Sequence, residues 1–138
     1  MKFTIGITIF LIGLVSSSCT VISPLVINYN GVRGDVATAI NHNIRLSLSD
    51  RKVLVEYAKE QQKILNSAYQ NDSAQHELAE QRAIGRYCSQ QKVSQRKLDW
   101  VDQKIFALEE QQEKFKYMQS LQQQVELNPT LIDCSDTF

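Results

Sequence analysis

The chain has 138 residues, 22% of them charged, and fifteen lysines and arginines balance fifteen aspartates and glutamates. That length allows one small domain with a modest core. The interspersed charges form no basic patch or stripe of the kind that nucleic-acid binding requires.

The first stretch reads MKFTIGITIFLIGLVSSSC. Lys2 precedes an apolar run over residues 3–15, and Ser16, Ser17 and Ser18 lead to Cys19. A basic start, an apolar core and small residues make an export signal. The run is shorter than the roughly 20 residues of a membrane span. The order hydrophobic, small, small, cysteine resembles the lipobox of bacterial lipoprotein precursors, with Ser16 standing where that family usually has leucine. The resemblance covers only this segment. It implies removal of residues 1–18 as a signal peptide and a diacylglycerol on Cys19, which becomes the N-terminal membrane anchor. Thr20, rather than Asp, after the cysteine implies the outer membrane, facing the periplasm, rather than the inner one. Two other readings stay open. One is an ordinary cleaved signal ending in Ser-x-Ser. The other is an uncleaved anchor continuing through the apolar residues 21–27, against which Pro24 and the hydroxyls of Ser16, Ser17, Ser18 and Thr20 argue.

Residues 19–34 read as a tether, because Pro24, Asn28, Asn30, Gly31 and Gly34 break any regular helix. The tripeptide Arg33-Gly34-Asp35 matches an integrin-binding motif, but three residues recur too often by chance to carry weight, and Asp35 suits a helix N-cap. A helical domain over 35–127 follows, then a tail over 128–138. The spacing of Val36, Ile40 and Ile44 predicts a short helix over 36–46. Ser49 is the expected cap of the next, with Leu48 packed on Val53. That helix carries the stripe Leu54, Tyr57, Gln61, Ile64 and Ala68, with Gln61 a polar interruption. Asn71-Asp72-Ser73 ends it and caps the third helix. The third helix, over 74–91, has a weaker stripe of Leu78, Ala79, Ala83, Ile84, Tyr87 and Cys88. Gly85 within it costs about 1 kcal/mol relative to alanine. Residues 89–94 are the expected turn. Leu98, Val101, Ile105, Leu108, Gln112, Phe115, Met118, Leu121 and Val125 then follow one helical face. They predict a single long helix over 97–127, stopped by Pro129.

The cysteines are Cys19, Cys88 and Cys134. If Cys19 carries lipid, two remain in an oxidising compartment, and a Cys88–Cys134 disulfide is favoured. Length opposes it. A helix over 97–127 is roughly 45 Å long, and the seven residues from Leu127 to Cys134 reach back about 24 Å at most. Bonded Cα atoms must lie within about 7 Å. An intrachain bridge therefore requires the last helix to break or bend sharply. Otherwise the bonds run between chains of a parallel dimer, or Cys88 is a buried apolar residue and Cys134 a free thiol.

Catalytic signals are absent from the sequence. His42 and His76 lack partners at metal-ligand spacing. Glu77, Glu80, Glu109, Glu110 and Glu113 fall on polar helix faces as solvated charge. No serine sits in a nucleophile elbow, and there is no glycine-rich phosphate loop. No metal, cofactor or nucleic acid is expected. Trp100, Phe106, Phe115, Tyr117 and Met118 read as bundle core before they read as a ligand pocket. Fifteen glutamines, most of them after Gln61, suit helical hairpins and coiled coils.

The expected fold is all-α: a small antiparallel hairpin or three- or four-helix bundle with a long, coiled-coil-like C-terminal helix. The expected function is non-catalytic, as an envelope lipoprotein that is structural or binds a protein partner or a second copy of itself through the last helix. Three alternatives are weighed beside it. An anchored periplasmic coiled coil with two distal cysteines resembles, in architecture alone, the inner-membrane spanin of phage lysis systems. A phage or plasmid exclusion lipoprotein would bind an outer-membrane receptor. A small-molecule or lipid-binding bundle would use the aromatic stripe.

Overall fold

A computed structural model describes residues 29–69 and 71–135. Residues 1–18, read as a signal peptide, Cys19, read as the lipidation site, and most of the stretch read as a tether lie outside the described residues. Five α-helices follow in order: α1 Gly34–His42, α2 Leu48–Gln62, α3 Asp72–Gln90, α4 Gln95–Ile105 and α5 Glu109–Gln122. A 3-10 segment, Lys63–Tyr69, continues α2, and a 3-10 turn, Pro129–Leu131, lies in the tail. The described residues contain no strand. The helices pack on one another as an all-α bundle: α2 against α1, α3 and α4, and α5 against α3 and the 3-10 segment.

The core is the set of helical stripes turned inward. Val36, Ile40, Leu54, Ile64, Leu98, Val101, Ile105 and Met118 are among its buried members. Tyr29 and Val32 pack against it, so the bundle takes in the last part of the segment read as a tether. Of the aromatic and methionine stripe, Met118 and Phe106 are buried, Trp100 and Phe115 are partly buried, and Tyr117 is exposed.

Three local expectations are corrected. α1 stops at His42, and Ile44 is 93% exposed instead of continuing the apolar face. The cap of α2 is Ser47 rather than Ser49. The Ser47 hydroxyl accepts from the Asp50 N–H at 3.1 Å, and the Asp50 carboxylate accepts from the Ser47 N–H at 2.9 Å. This reciprocal pair satisfies two otherwise open donors and puts Leu48 on the surface, half exposed. The third correction is the largest. The predicted helix over 97–127 is two helices, broken between Ile105 and Glu109.

No proline or glycine marks that break. Its cause is tertiary. Arg33 donates from Nη1 to the Ile105 carbonyl at 3.1 Å and from Nη2 to the Lys104 carbonyl at 2.8 Å. A guanidinium at a helix C-terminus satisfies open carbonyls and complements the dipole. Phe106 leaves helical geometry and stacks on Phe115, centroids 4.5 Å apart. Glu109 and Glu110 then open α5 with acidic residues in its first turn, where the dipole favours them. Replacing Arg33 with alanine is expected to cost about 1–2 kcal/mol and to speed amide exchange in the last turn of α4, read by hydrogen–deuterium exchange.

The break resolves the reach problem. With the chain turned back after Ile105, Cys88 and Cys134 meet with Cα atoms 5.4 Å apart and are joined by a disulfide within the chain. At Gly85, three residues before Cys88, a methyl group would enter open space, with no atom beyond its own stretch of helix within 4 Å. Close packing is therefore not its role. Gly85→Ala is expected to raise stability by about 0.5–1 kcal/mol, seen as a higher denaturant midpoint at unchanged slope.

Candidate functional site: a buried ion-pair network beneath an open cleft

Three helices, α2, α3 and α4, each contribute a spaced pair of polar residues to one cluster. Tyr57 and Gln61 are four apart on α2, Arg82 and Arg86 four apart on α3, and Asp99 and Asp102 three apart on α4. These spacings place both members of a pair on one helix face. Packing α2, α3 and α4 together then brings the pairs into contact.

Asp102 is the centre, 5% exposed. It accepts from the Tyr57 hydroxyl at 2.9 and 3.0 Å and from Arg86 Nη1 at 2.7 Å. Arg86 also donates to Tyr57 and, from Nη2, to Asp99 at 2.6 Å. Asp99 accepts from Gln95 as well. Arg82, 1% exposed, has no carboxylate in direct contact among the described residues. Its guanidinium donates to the Gln61 carbonyl from Nε at 2.7 Å and from Nη2, and to Gln122 from Nη1 at 3.3 Å. It lies 5.4 Å from the centre of the Phe115 ring, a cation–π distance.

Burial sets the ionisation of these groups. It raises the Asp102 carboxyl above its ordinary value, outweighing the opposing pull of Arg86 and the Tyr57 hydrogen bond. Burial and the Asp102 charge both raise the Tyr57 phenol, which stays protonated. Burial pulls Arg82 down to about 10, so it remains a cation at neutral pH. For Arg86, burial works downward, but Tyr57, Asp102 and Asp99 together hold the guanidinium raised.

A pH prediction follows from the signs. A raised Asp102 value means that the folded chain holds this proton more tightly. Its stabilising contribution is full below the unfolded value and is lost as pH rises through the folded one. Asp50 has the opposite sign. Burial pushes it up, yet the Lys97 ion pair at 2.8 Å and the bonds to Ser47 leave it lowered. Its contribution is present above the unfolded value and is lost as pH falls through the folded one. Asp102→Asn removes only the first effect. The variant's denaturation midpoint should therefore fall more steeply than wild type as pH drops toward the unfolded aspartate value of about 3.9. Parallel profiles would refute the assignment.

Above this network lies a cleft of about 570 Å³ whose lining includes Arg86, Asp99, Asp102, Phe106, Phe115 and Lys116. Its size is in the ordinary range for a ligand site. α4 packs on α1, α2 and α3, and α5 on α3 and the 3-10 segment, but α4 and α5 barely touch each other. The cleft is the gap between them, with Arg86 of α3 in its floor.

Of the residues singled out in the sequence, Cys88 and Cys134 are brought together, and Cys19 lies outside the described residues. His42 and His76 are exposed, as are Glu77, Glu80, Glu109, Glu110 and Glu113. No group of ligating side chains that would hold a metal occurs among the described residues. Among them no helix is long and apolar enough to cross a membrane. Sequence reasoning missed Arg82, Arg86 and Asp102. Asp102 had a signal, since it is four residues after Leu98 and three before Ile105, inside the apolar arc of α4. No family model, curated protein or solved structure matches the chain.

Proposed function

We propose that the protein is an exported, non-catalytic helical module, held at the outer membrane through lipid on Cys19 and binding a protein partner in the periplasm. The observation that carries this reading is the Cys88–Cys134 disulfide within one chain. Structural disulfides persist in oxidising compartments, and the first nineteen residues have the form of an export signal ending in a lipobox-like cysteine. Two separate parts of the chain thus point to the same location. The bridge uses both cysteines that remain once Cys19 is set aside. That leaves none for the interchain bonds of a spanin-like dimer, and the broken last helix removes the long coiled coil such a dimer would need. The buried polar cluster supports a non-catalytic role: Tyr57, Arg86 and Asp102 are bonded to each other, an arrangement that fixes helix packing.

The test is the intact mass of the membrane-fraction product of the full-length chain, expressed in a Gram-negative host and kept free of reductant. A monomer beginning at Cys19, carrying acyl mass and two hydrogens lighter than its reduced form, supports the proposal. A product retaining Met1 sinks the lipoprotein reading, and a disulfide-linked dimer sinks the internal bridge.

A further inference from the structure

Resting on the partner-binding reading above, we propose that the cleft between α4 and α5 recognises a short extended peptide segment carrying an apolar side chain beside a carboxylate.

The charged groups of the floor are largely committed to one another, and Asp99 Oδ2 is left to accept from a ligand N–H. Asp102 is bonded to Tyr57 and Arg86, Asp99 to Arg86 and Gln95, and both terminal nitrogens of Arg86 are engaged. The rest of what the floor offers is apolar: the edge of the stacked Phe106 and Phe115 rings, with Ala107 beside them. The rim is different. Gln112, Lys116 and Gln119 fall at four- and three-residue steps along α5, so they form one edge, and Gln103 of α4 stands across from them. All four are exposed, and their side chains make no hydrogen bond or ion pair with the described residues.

This composition selects a ligand class. Each glutamine amide donates and accepts. An extended backbone presents N–H and C=O groups in alternation and satisfies such amides. An acyl chain would cover them without partners, which costs desolvation. Lys116 is the cleft's uncommitted charge, and it calls for one anionic group on the ligand. The Phe115 surface calls for an apolar side chain next to it. The wall of α4 from Asp99 to Ile105 runs about 9 Å at helical rise, the length of about three extended residues.

The experiment uses the full-length, oxidised protein in detergent on an array of hexapeptides that varies acidic, basic and apolar residues. The array is made once with free C-termini and once with amidated ones. Binding should concentrate on sequences that pair an apolar residue with a carboxylate. The two array forms tell a side-chain carboxylate from a terminal one. Lys116→Glu, at an exposed and unpaired position, should weaken those peptides about five- to tenfold and move the preference to lysine- and arginine-containing sequences, with an unchanged circular dichroism spectrum. An unselective array, or a profile that Lys116→Glu leaves in place, overturns the proposal. Displacement of bound peptide by laurate would make the cleft an acyl site and overturn the ligand class. Location is read separately by intact mass, so loss of the anchor reading leaves the peptide profile standing, and the reverse also holds.

Discussion

Cys134→Ser lowers the free energy of unfolding by about 4 kcal/mol. That is the expected result for opening a bridge that spans 46 residues of sequence, because the cross-link restricts the unfolded chain more than the folded one. Cys134 is the better position to change. It is partly exposed, whereas Cys88 is fully buried and its truncation would add a packing defect. The loss is a large share of the 5–15 kcal/mol typical of a small domain and should lower the melting temperature by roughly 15–25 °C. The tail should respond before the rest. Its backbone bonds around Asn128 are local, and the nearest preceding residue packed against the core is Val125. Amide exchange over 123–135 should therefore rise sharply in the variant while α2 stays protected. Wild-type protein in reductant should match Cys134→Ser. An equal denaturant midpoint for the oxidised wild type and the variant would show that the bridge adds nothing.

Asp102→Ala costs about 3–5 kcal/mol, as removal of one partner from a buried ion pair does. The reason here is specific. Arg82 and Arg86 lie one turn apart on α3, and Asp102 is the buried counter-charge near both. Without it, Arg86 keeps only the half-exposed Asp99, two cations face each other in the core, and the Tyr57 hydroxyl loses its acceptor. The cost comes mainly from what is left unpaired. Replacing the set by apolar groups of similar shape tests that point. Tyr57→Phe, Arg86→Met and Asp102→Leu together should lose less than Asp102→Ala alone, because Arg82 is then the one cation of the cluster and keeps Gln61, Gln122 and the Phe115 ring. Urea unfolding of the single and triple variants decides it. A triple variant that sums the single losses would mean that the network contributes net stability rather than helix register.

Both effects come from features that the sequence showed unequally. The pairing of Cys88 with Cys134 was legible as the favoured arithmetic of the cysteines once Cys19 was set aside. The bundle itself was legible because apolar residues at three- and four-residue steps can be buried only as helices. Asn71-Asp72-Ser73 was legible as the stretch that caps α3 for a related reason: the cap is Asn71, whose side chain accepts from the Ala74 N–H three residues on, a contact short enough to read along the chain. The cap of α2 shows the limit of such reading, since Ser47 and Ser49 both suit the role locally and the reciprocal bond with Asp50 selects Ser47.

The helix break was not legible. Residues 105–109 contain no helix breaker, and the stripe continues through Leu108 as if one helix ran on. Arg33, 71 and 72 residues away in sequence from the carbonyls it binds, ends α4, and the Phe106–Phe115 stack turns the chain back. The reach calculation named the condition for an intrachain disulfide, and the tertiary fold met it. The cleft and the polar network share this origin. The sequence by itself determined the helical class and the apolar faces, each encoded in neighbours within one or two turns. Only the tertiary structure decided where the last helix ends, which cysteines meet and which charges are buried together, because those depend on groups brought close by packing.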